Sequence, residues 1–593
     1  MPGFTTCLLA LLGLLLGGSV AMDAGFLPHQ MRLAEDFYLS WDIDVDSQLV
    51  TFLVLARTKG WVGVGITNTG GMDKADMAVG WLKDGEAYFH DRHGVGNNVP
   101  VIDDSQDYKL LTLVENETHT EMIFRRPFRT CDPDDLDLTD DTLRIIFACA
   151  TADPTDVNKI PYHNLAGVKS AQILIYGQTV HPKPANRSSF DVVTNFTIPT
   201  LQTFYSCQIG KLPAFDQKYH VYMVEPIIPE ASAAYVHHIL LHLCPSSYTD
   251  QHIAMTQYCY PASVQAYVFM NCVEVLTGWA VGGQTLIYPD EAGFPLGGLE
   301  DKAYYMLQIH YDNPTQQAGV FDRSGFKLHL TTDLRKFDIG ILWTGIQVAQ
   351  FLIIPPKASS FKNYGYCDTS PVNKEEGKKY TDMQIFGSIL HTHLTGSKIR
   401  ILQFRGGEQI RTIAQDKYYD FNLQESRLLR EPVTVRRGDV LITECTYNTE
   451  NRSTITWGGL ATAEEMCLTF MFYYPKNELL SCLSYPTVET VSSVLNITGD
   501  TNTELITSMW MWDWNQTLID EVETKLRDAD QVQATITHTG DKLLTGKKIP
   551  VIPEEKVARC SRRGENGGSV RLEGIAFALG ASLLAVAWLL VGP

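Results

Sequence analysis

The chain has 593 residues, 45% of them apolar and 20% charged, which is too long for one hydrophobic core and too apolar for wholesale disorder; three or four globular domains are expected. With 68 acidic against 48 basic residues the net charge is −20, which excludes the basic footprint of a nucleic-acid-binding protein.

Residues 7–16 are apolar and run into Gly17-Gly18-Ser19-Val20-Ala21, so residues 1–21 read as a signal peptide cleaved after Ala21, although no basic residue precedes the apolar run. Residues 33–150 follow a β pattern. Residues 39–45 alternate, 49–56 form a buried-strand run, 60–66 are glycine-punctuated and 143–149 close the block, as in an antiparallel sandwich. A polar connector with Pro154, Pro161, Pro182 and Pro184 occupies 151–197 and reads as a linker. Two further blocks, 198–344 and 345–486, carry β-branched and aromatic residues at period two and predict two more sandwiches, for an all-β chain. The segment 487–560 changes character, with an amphipathic helix predicted over 518–532.

The tail, 561–593, ends in twenty uncharged residues, 574–593, long enough to span a bilayer. It predicts either a C-terminal membrane anchor or a GPI-attachment signal, with Asn566-Gly567-Gly568-Ser569 ahead of it. Sequons at Asn116, Asn186, Asn195, Asn451, Asn496 and Asn515 are acceptable to glycosylation in a lumen. Twelve cysteines without a CxxC pair, eleven once Cys7 is removed, suggest a disulfide framework with one thiol left over. The expected location is the lumen of the secretory pathway, attached to membrane at the endoplasmic reticulum, a vesicle or the cell surface.

The chemistry-bearing residues lie in four places: Tyr235-Val236-His237-His238-Ile239-Leu240-Leu241-His242, then His310-Tyr311-Asp312-Asn313-Pro314, then His391-Thr392-His393, and Glu464-Glu465-Met466-Cys467. On a strand, residues two apart share a face, so His391 and His393 form a two-pronged imidazole clamp. A nearby thioether favours Cu(I) over zinc. His237 and His238 are adjacent and reach one metal only if the strand bulges; otherwise His238 and His242 share a face and His242 is the rival ligand. Spacing alone leaves that choice open. Met471, five residues beyond Met466, is the competing thioether.

The segments VHHILLHLC, HYDNP, LHTHLTG, LITECTYNTE and EEMCL, in this order, resemble the copper type II, ascorbate-dependent monooxygenases, and within them the DBH-like group that includes dopamine β-hydroxylase. Residues 61–66 and 75–81 resemble a DOMON domain, a β-sandwich. The resemblance implies two jelly-roll-like catalytic sandwiches behind it. It makes His237, His238 and His310 ligands of an electron-storing copper, and His391, His393 and Met466 ligands of an oxygen-activating copper. Two copper ions per chain, ascorbate as electron donor and O2 as co-substrate are implied with them. Tyr205 and His391 are its candidate catalytic residues, and Asp76 and Asp107, beside the Met77 and Arg92 carbonyls, its candidate ligands for a hard cation in the first sandwich. The implied disulfides are Cys207–Cys259, Cys244–Cys272, Cys367–Cys482, Cys445–Cys467 and Cys131–Cys560, with Cys149 unpaired. Residues 368–373 lack the second cysteine that dopamine β-hydroxylase carries there, so a homodimer would be non-covalent.

The expected reaction is hydroxylation of an aliphatic C–H of a small, phenylethylamine-like or catechol-like substrate. The alternatives are a peptide α-hydroxylating relative, against which the leading DOMON domain counts, and a membrane-tethered binding protein without turnover. A zinc hydrolase would need a carboxylate-bearing motif such as HExxH, which is absent.

Overall fold

The computed structural model describes residues 27–176, 183–253, 256–259, 269, 271–298, 302–370, 381–498, 501–537 and 540–554. The expected signal peptide, the hydrophobic tail and Cys560 fall outside them. Among the described residues no helix is long and apolar enough to cross a membrane.

Three two-sheet β units follow one another. The first packs a five-stranded sheet, ordered His29–Ala34, Phe37–Asp44, Leu49–Ala56, Thr120–Pro127 and Lys109–Glu115, on a six-stranded sheet that includes Val62–Thr67, Asp76–Lys83 and Leu143–Cys149. Phe37, Trp41, Val54, Val64 and Phe124 fill the space between. In the second unit, Thr256–Tyr258, Thr203–Lys211, Tyr304–Asp312, Val236–Leu243 and Glu274–Ala280 form a sheet in that order, opposite one built on Tyr219–Ile227 and Gly325–Thr331. The third has a seven-stranded sheet, in which Met383–Thr392 pairs with Cys467–Tyr474, facing a four-stranded one.

Two boundaries differ from the sequence reading. Strand Leu165–Ala171 pairs along Leu143–Cys149 as the edge of the first unit, and Arg187–Val193 pairs with Gly325–Thr331 in the second, so the polar connector contributes an edge strand to each unit. An edge strand needs no apolar period, because one flank meets solvent. Similarly, Gln531–Thr537 and Gly540–Lys547 extend the seven-stranded sheet beyond Leu479–Pro486, making the C-terminal segment part of the third unit. The expected helix runs over Gln516–Asp528, capped by Asn515, with Ile519, Val522 and Leu526 buried.

Strand Cys467–Tyr474 is buried throughout because both of its faces are covered. Leu468, Phe470, Phe472 and Tyr474 join a core continuous with the second unit, whereas Cys467, Met471 and Tyr473 face the third unit's own core. The seven-stranded sheet therefore lies between two apolar layers, and the functional residues gather where it meets the second unit.

Candidate metal centre and its cavity

Two β-bulges aim the histidines. On Val236–Leu243, Val236 pairs with Tyr311 and His238 with His310, so His237 is an extra residue. The bulge reverses the strand's parity. Val236, Ile239 and Leu241 enter the core, while His238, Leu240 and His242 line a cavity. An unbroken strand would put His238 on the core face with Val236. On Met383–Thr392 the extra residue is Phe386. Before it Met383 and Ile385 face the third unit's core; after it Ile389 faces the second unit and His391 lines the cavity.

Cross-strand neighbours share a face, and Tyr205, His310 and His238 are partners in one row across three strands. The rings of Tyr205 and His310 stack at 4.1 Å, and those of His238 and His310 lie 4.9 Å apart. One ring nitrogen from each of His237, His238 and His310 falls within 4.8 Å of the others; His242 is outside this group. His391 and His393 have ring centroids 5.2 Å apart, and His391 is 5.6 Å from His238 across the cavity. Met466 lines this cavity together with His238 and His391. Met471, an odd number of residues away, is on the opposite face in the third unit's core.

Hydrogen bonds set the free nitrogens. His391 Nδ1–H donates to Gln424 Oε1 (2.6 Å) and His393 Nδ1–H to the Glu464 carbonyl (3.0 Å), leaving both Nε2 lone pairs available. His393 Nε2 is buried without a partner. With the His310 Nε2 proton donated to the Thr203 hydroxyl (2.8 Å), Nδ1 is left bare, and it too is a buried orphan. Burial pushes the His237 pKa down to about 3 and that of His391 to about 4. His238, His310 and His393 lie well below the ordinary value, from burial and from the neighbouring imidazoles. Five neutral imidazoles, two of them (His310 and His393) with an orphaned buried nitrogen, plus a thioether, fit copper.

Supporting residues that sequence reasoning missed surround the candidate ligands. The buried Glu465 carboxylate accepts from the backbone N–H of His393 (2.8 Å), Thr395 (2.6 Å) and Met466 (3.1 Å), and from the Thr395 hydroxyl (2.7 Å). One side chain thus ties the paired-histidine turn to the methionine. The signal was present, an acid beside Met466, but acids on strands are usually solvent-facing. The Tyr447 hydroxyl donates to the Met466 carbonyl (2.9 Å), and Cys445–Cys467 braces the same point. Phe421 stacks on His237 at 4.2 Å, and Gln424 Nε2 lies 3.4 Å from His237 Nε2. No local pattern marks Phe421 or Gln424.

The first unit grips the segment carrying them. Thr142 donates from its N–H and hydroxyl to Asp416 (3.0 and 2.6 Å), Arg427 pairs with Asp416 at 2.6 Å, and Arg144 donates to the Tyr418 carbonyl (2.6 Å). Tyr205 donates to the Leu460 carbonyl (2.8 Å) besides stacking on His310.

In the first unit, carboxylate oxygens of Asp76, Asp91 and Asp135 lie within 4.8 Å of one another, and one oxygen each of the fully buried Asp76 and Asp91 is an orphan. Asp107 takes part through its backbone N–H, which donates to Asp91 (2.8 Å). Asp91 and Asp135 were not foreseen; they come from a different strand and a loop. Burial and neighbouring acids push Asp91 up to about 8 and Asp135 to about 7.

Four of the implied disulfides are present: Cys207–Cys259, Cys244–Cys272, Cys367–Cys482 and Cys445–Cys467. The partner implied for Cys131 lies outside the described residues, and Cys149 is a buried free thiol. All six sequon asparagines are exposed.

Three all-β units in a row, with histidines from the second and third and a thioether meeting at one cavity, give the chain the architecture of a soft-metal site. Family models agree in order along the chain: DOMON domain over 33–150, then copper type II ascorbate-dependent monooxygenase, N-terminal domain, over 190–318 and C-terminal domain over 337–494. The chain is 39% identical over 462 residues to DBH-like monooxygenase protein 2 of Mus musculus, covering 77% of this chain and 73% of that protein. It is 38% identical to DBH-like monooxygenase protein 1 of Homo sapiens (81% and 78% covered) and 34% identical to dopamine beta-hydroxylase of Canis lupus familiaris (77% and 73%). The chain belongs to the copper type II ascorbate-dependent monooxygenase family, and it is a monooxygenase enzyme of the secretory pathway, where its disulfides are stable.

Proposed function

We propose that the protein hydroxylates an aliphatic C–H of a small substrate with an aromatic frame of the phenylethylamine kind, using two copper ions per chain. The observation that carries this reading is that His238, His391 and Met466 line one cavity of about 410 Å3, with His237, His310 and His393 buried directly behind them as neutral imidazoles. His237, His238 and His310 would hold one ion; His391, His393 and Met466 would hold the other. Bound copper supplies one-electron redox chemistry with ascorbate and O2. The chain's own residues do the rest. Glu465 keeps the ligand loop and methionine in register, Gln424 fixes the His391 ring, and Tyr205 holds His310 by stacking, a positioning role. The apolar walls exclude water from the reacting face.

The Asp76, Asp91 and Asp135 group, with Asp107 beside it, is proposed to hold a calcium-like cation, because oxygen-only donors suit hard ions. Glycosylation of the exposed sequons and membrane attachment through 574–593 complete the proposal.

The test is copper titration of the purified protein followed by ascorbate-driven O2 consumption with aromatic substrates. Two coppers per chain and a hydroxylated product support the reading; one copper, or none, overturns it.

A further inference from the structure

The cavity beside the histidines is unusual in its electrostatics. Among the described residues that line it there is no aspartate, glutamate, lysine or arginine. Its walls are Leu240, Trp279, Trp343, Ile389 and Phe470, and its polar groups are amides, hydroxyls and imidazoles. An ammonium group entering such a space would lose its hydration and meet no counter-charge, which costs several kcal/mol.

One polar group there is unclaimed. His242 extends from the same strand as His238, is 3% exposed, and makes no well-formed hydrogen bond through either ring nitrogen, its one polar contact being a looser interaction with the Cys272 backbone. It sits edge-on to Trp343 at 5.8 Å and opposite Met306, both of which line the cavity. The sequence offers it as a rival metal ligand, but the ring nitrogens that converge belong to His237, His238 and His310. The other histidines of the cavity wall, His238 and His391, belong to the metal sets. A neutral imidazole presents one donor and one acceptor, the complement of a hydroxyl group. A buried polar side chain is expected to be satisfied, so an orphan facing a cavity implies a polar atom that arrives with a ligand.

We propose that His242 is a specificity-determining residue and that the substrate is a neutral, hydroxyl-bearing aromatic molecule rather than a free amine. The hydroxyl pairs with His242, and the ring lies against Trp279 and Trp343. This deepens the oxygenase reading, since it takes the same cavity as the substrate site, and it narrows the aromatic frame proposed there by removing the ammonium.

The test uses the full chain, copper-loaded and without ascorbate, so that binding is read by calorimetry with no turnover. Three probes of one shape are compared: 4-ethylphenol, tyramine and ethylbenzene. The expected result is that 4-ethylphenol binds at least about tenfold tighter than tyramine. His242→Phe should weaken 4-ethylphenol about tenfold while leaving ethylbenzene within about twofold, and His242→Gln should recover part of the loss. Unchanged ethylbenzene binding also reports that the variant is folded. Equal or tighter binding of tyramine, an unaltered phenol preference in His242→Phe, or no binding of any probe would overturn the proposal. Copper stoichiometry and O2 consumption are separate readouts, so failure of the oxygenase reading is distinguishable from failure of this one.

Discussion

The first unit and the joint between the second and third each bury a cluster of ionisable side chains, yet the two clusters are opposites. Around Asp76, Asp91 and Asp135, burial pushes acids up, Asp91 to about 8. Around His237, His238, His310, His391 and His393, burial pushes bases down, His237 to about 3. The physics is the same in both places, since a poorly hydrated site disfavours charge. The consequence differs. Neutralised imidazoles become better ligands for a soft, redox-active metal, whereas the carboxylates, of which only Asp76 is ion-paired, to the buried Arg126, stay crowded until a hard cation or protons offset the rest.

The contrast can be broken most severely at the thioether. Met466→Ala should lower hydroxylation by more than about 100-fold, beyond what an outer partner contributes, while the His237/His238/His310 set keeps its copper; metal analysis beside O2 consumption checks both halves. The joint between the two regions comes next. Asp416→Ala strands the buried Arg427 and frees the segment held by Thr142, so denaturant unfolding should report a loss of about 3–5 kcal/mol. Gln424→Ala releases the His391 ring and removes the amide beside His237 Nε2, and copper affinity at the His391 site should fall about 10- to 100-fold, read by competition with a chelator.

On the oxygen side the effects are thermal and pH-dependent. Asp91 and Asp135 titrate above their ordinary value of 3.8, so the folded state without a cation is favoured by their protons at low pH. That contribution is complete below pH 3.8 and is lost as pH rises through about 7 to 8. Calcium should replace the protons, raising the melting temperature by about 5 °C at pH 8 and by less at pH 6. Asp91→Asn should abolish the difference and leave hydroxylation unchanged. The smallest effect is expected at Met471→Leu, a near-isosteric exchange in the third unit's core that should cost under about 1.5 kcal/mol and preserve activity. Loss of hydroxylation there would move the ligand role away from Met466.

Much of the site was legible before any coordinates. The paired spacing of His391 and His393 suggested a shared face, and the need for a bulge at His237 followed from adjacency alone. The choice of Met466 over Met471 could have been made by parity, because residues five apart on a strand face opposite ways. The Phe386 bulge was not legible. Neither was the role of Glu465, whose partners lie on the turn after His391, nor that of Gln424, which acts through a loop clamped by the first unit.

The linear chain determined which donors exist, the alternation that makes every unit a sandwich, and the cysteines that staple the second and third. Those properties are local, written at period two or in residue type. Tertiary structure alone decided that two bulges turn His238 and His391 toward one cavity, that His242 stands apart from the candidate metal set, and that no charged side chain among the described residues lines the cavity. These depend on pairing register and on side chains meeting from distant strands, for which no short-range pattern exists.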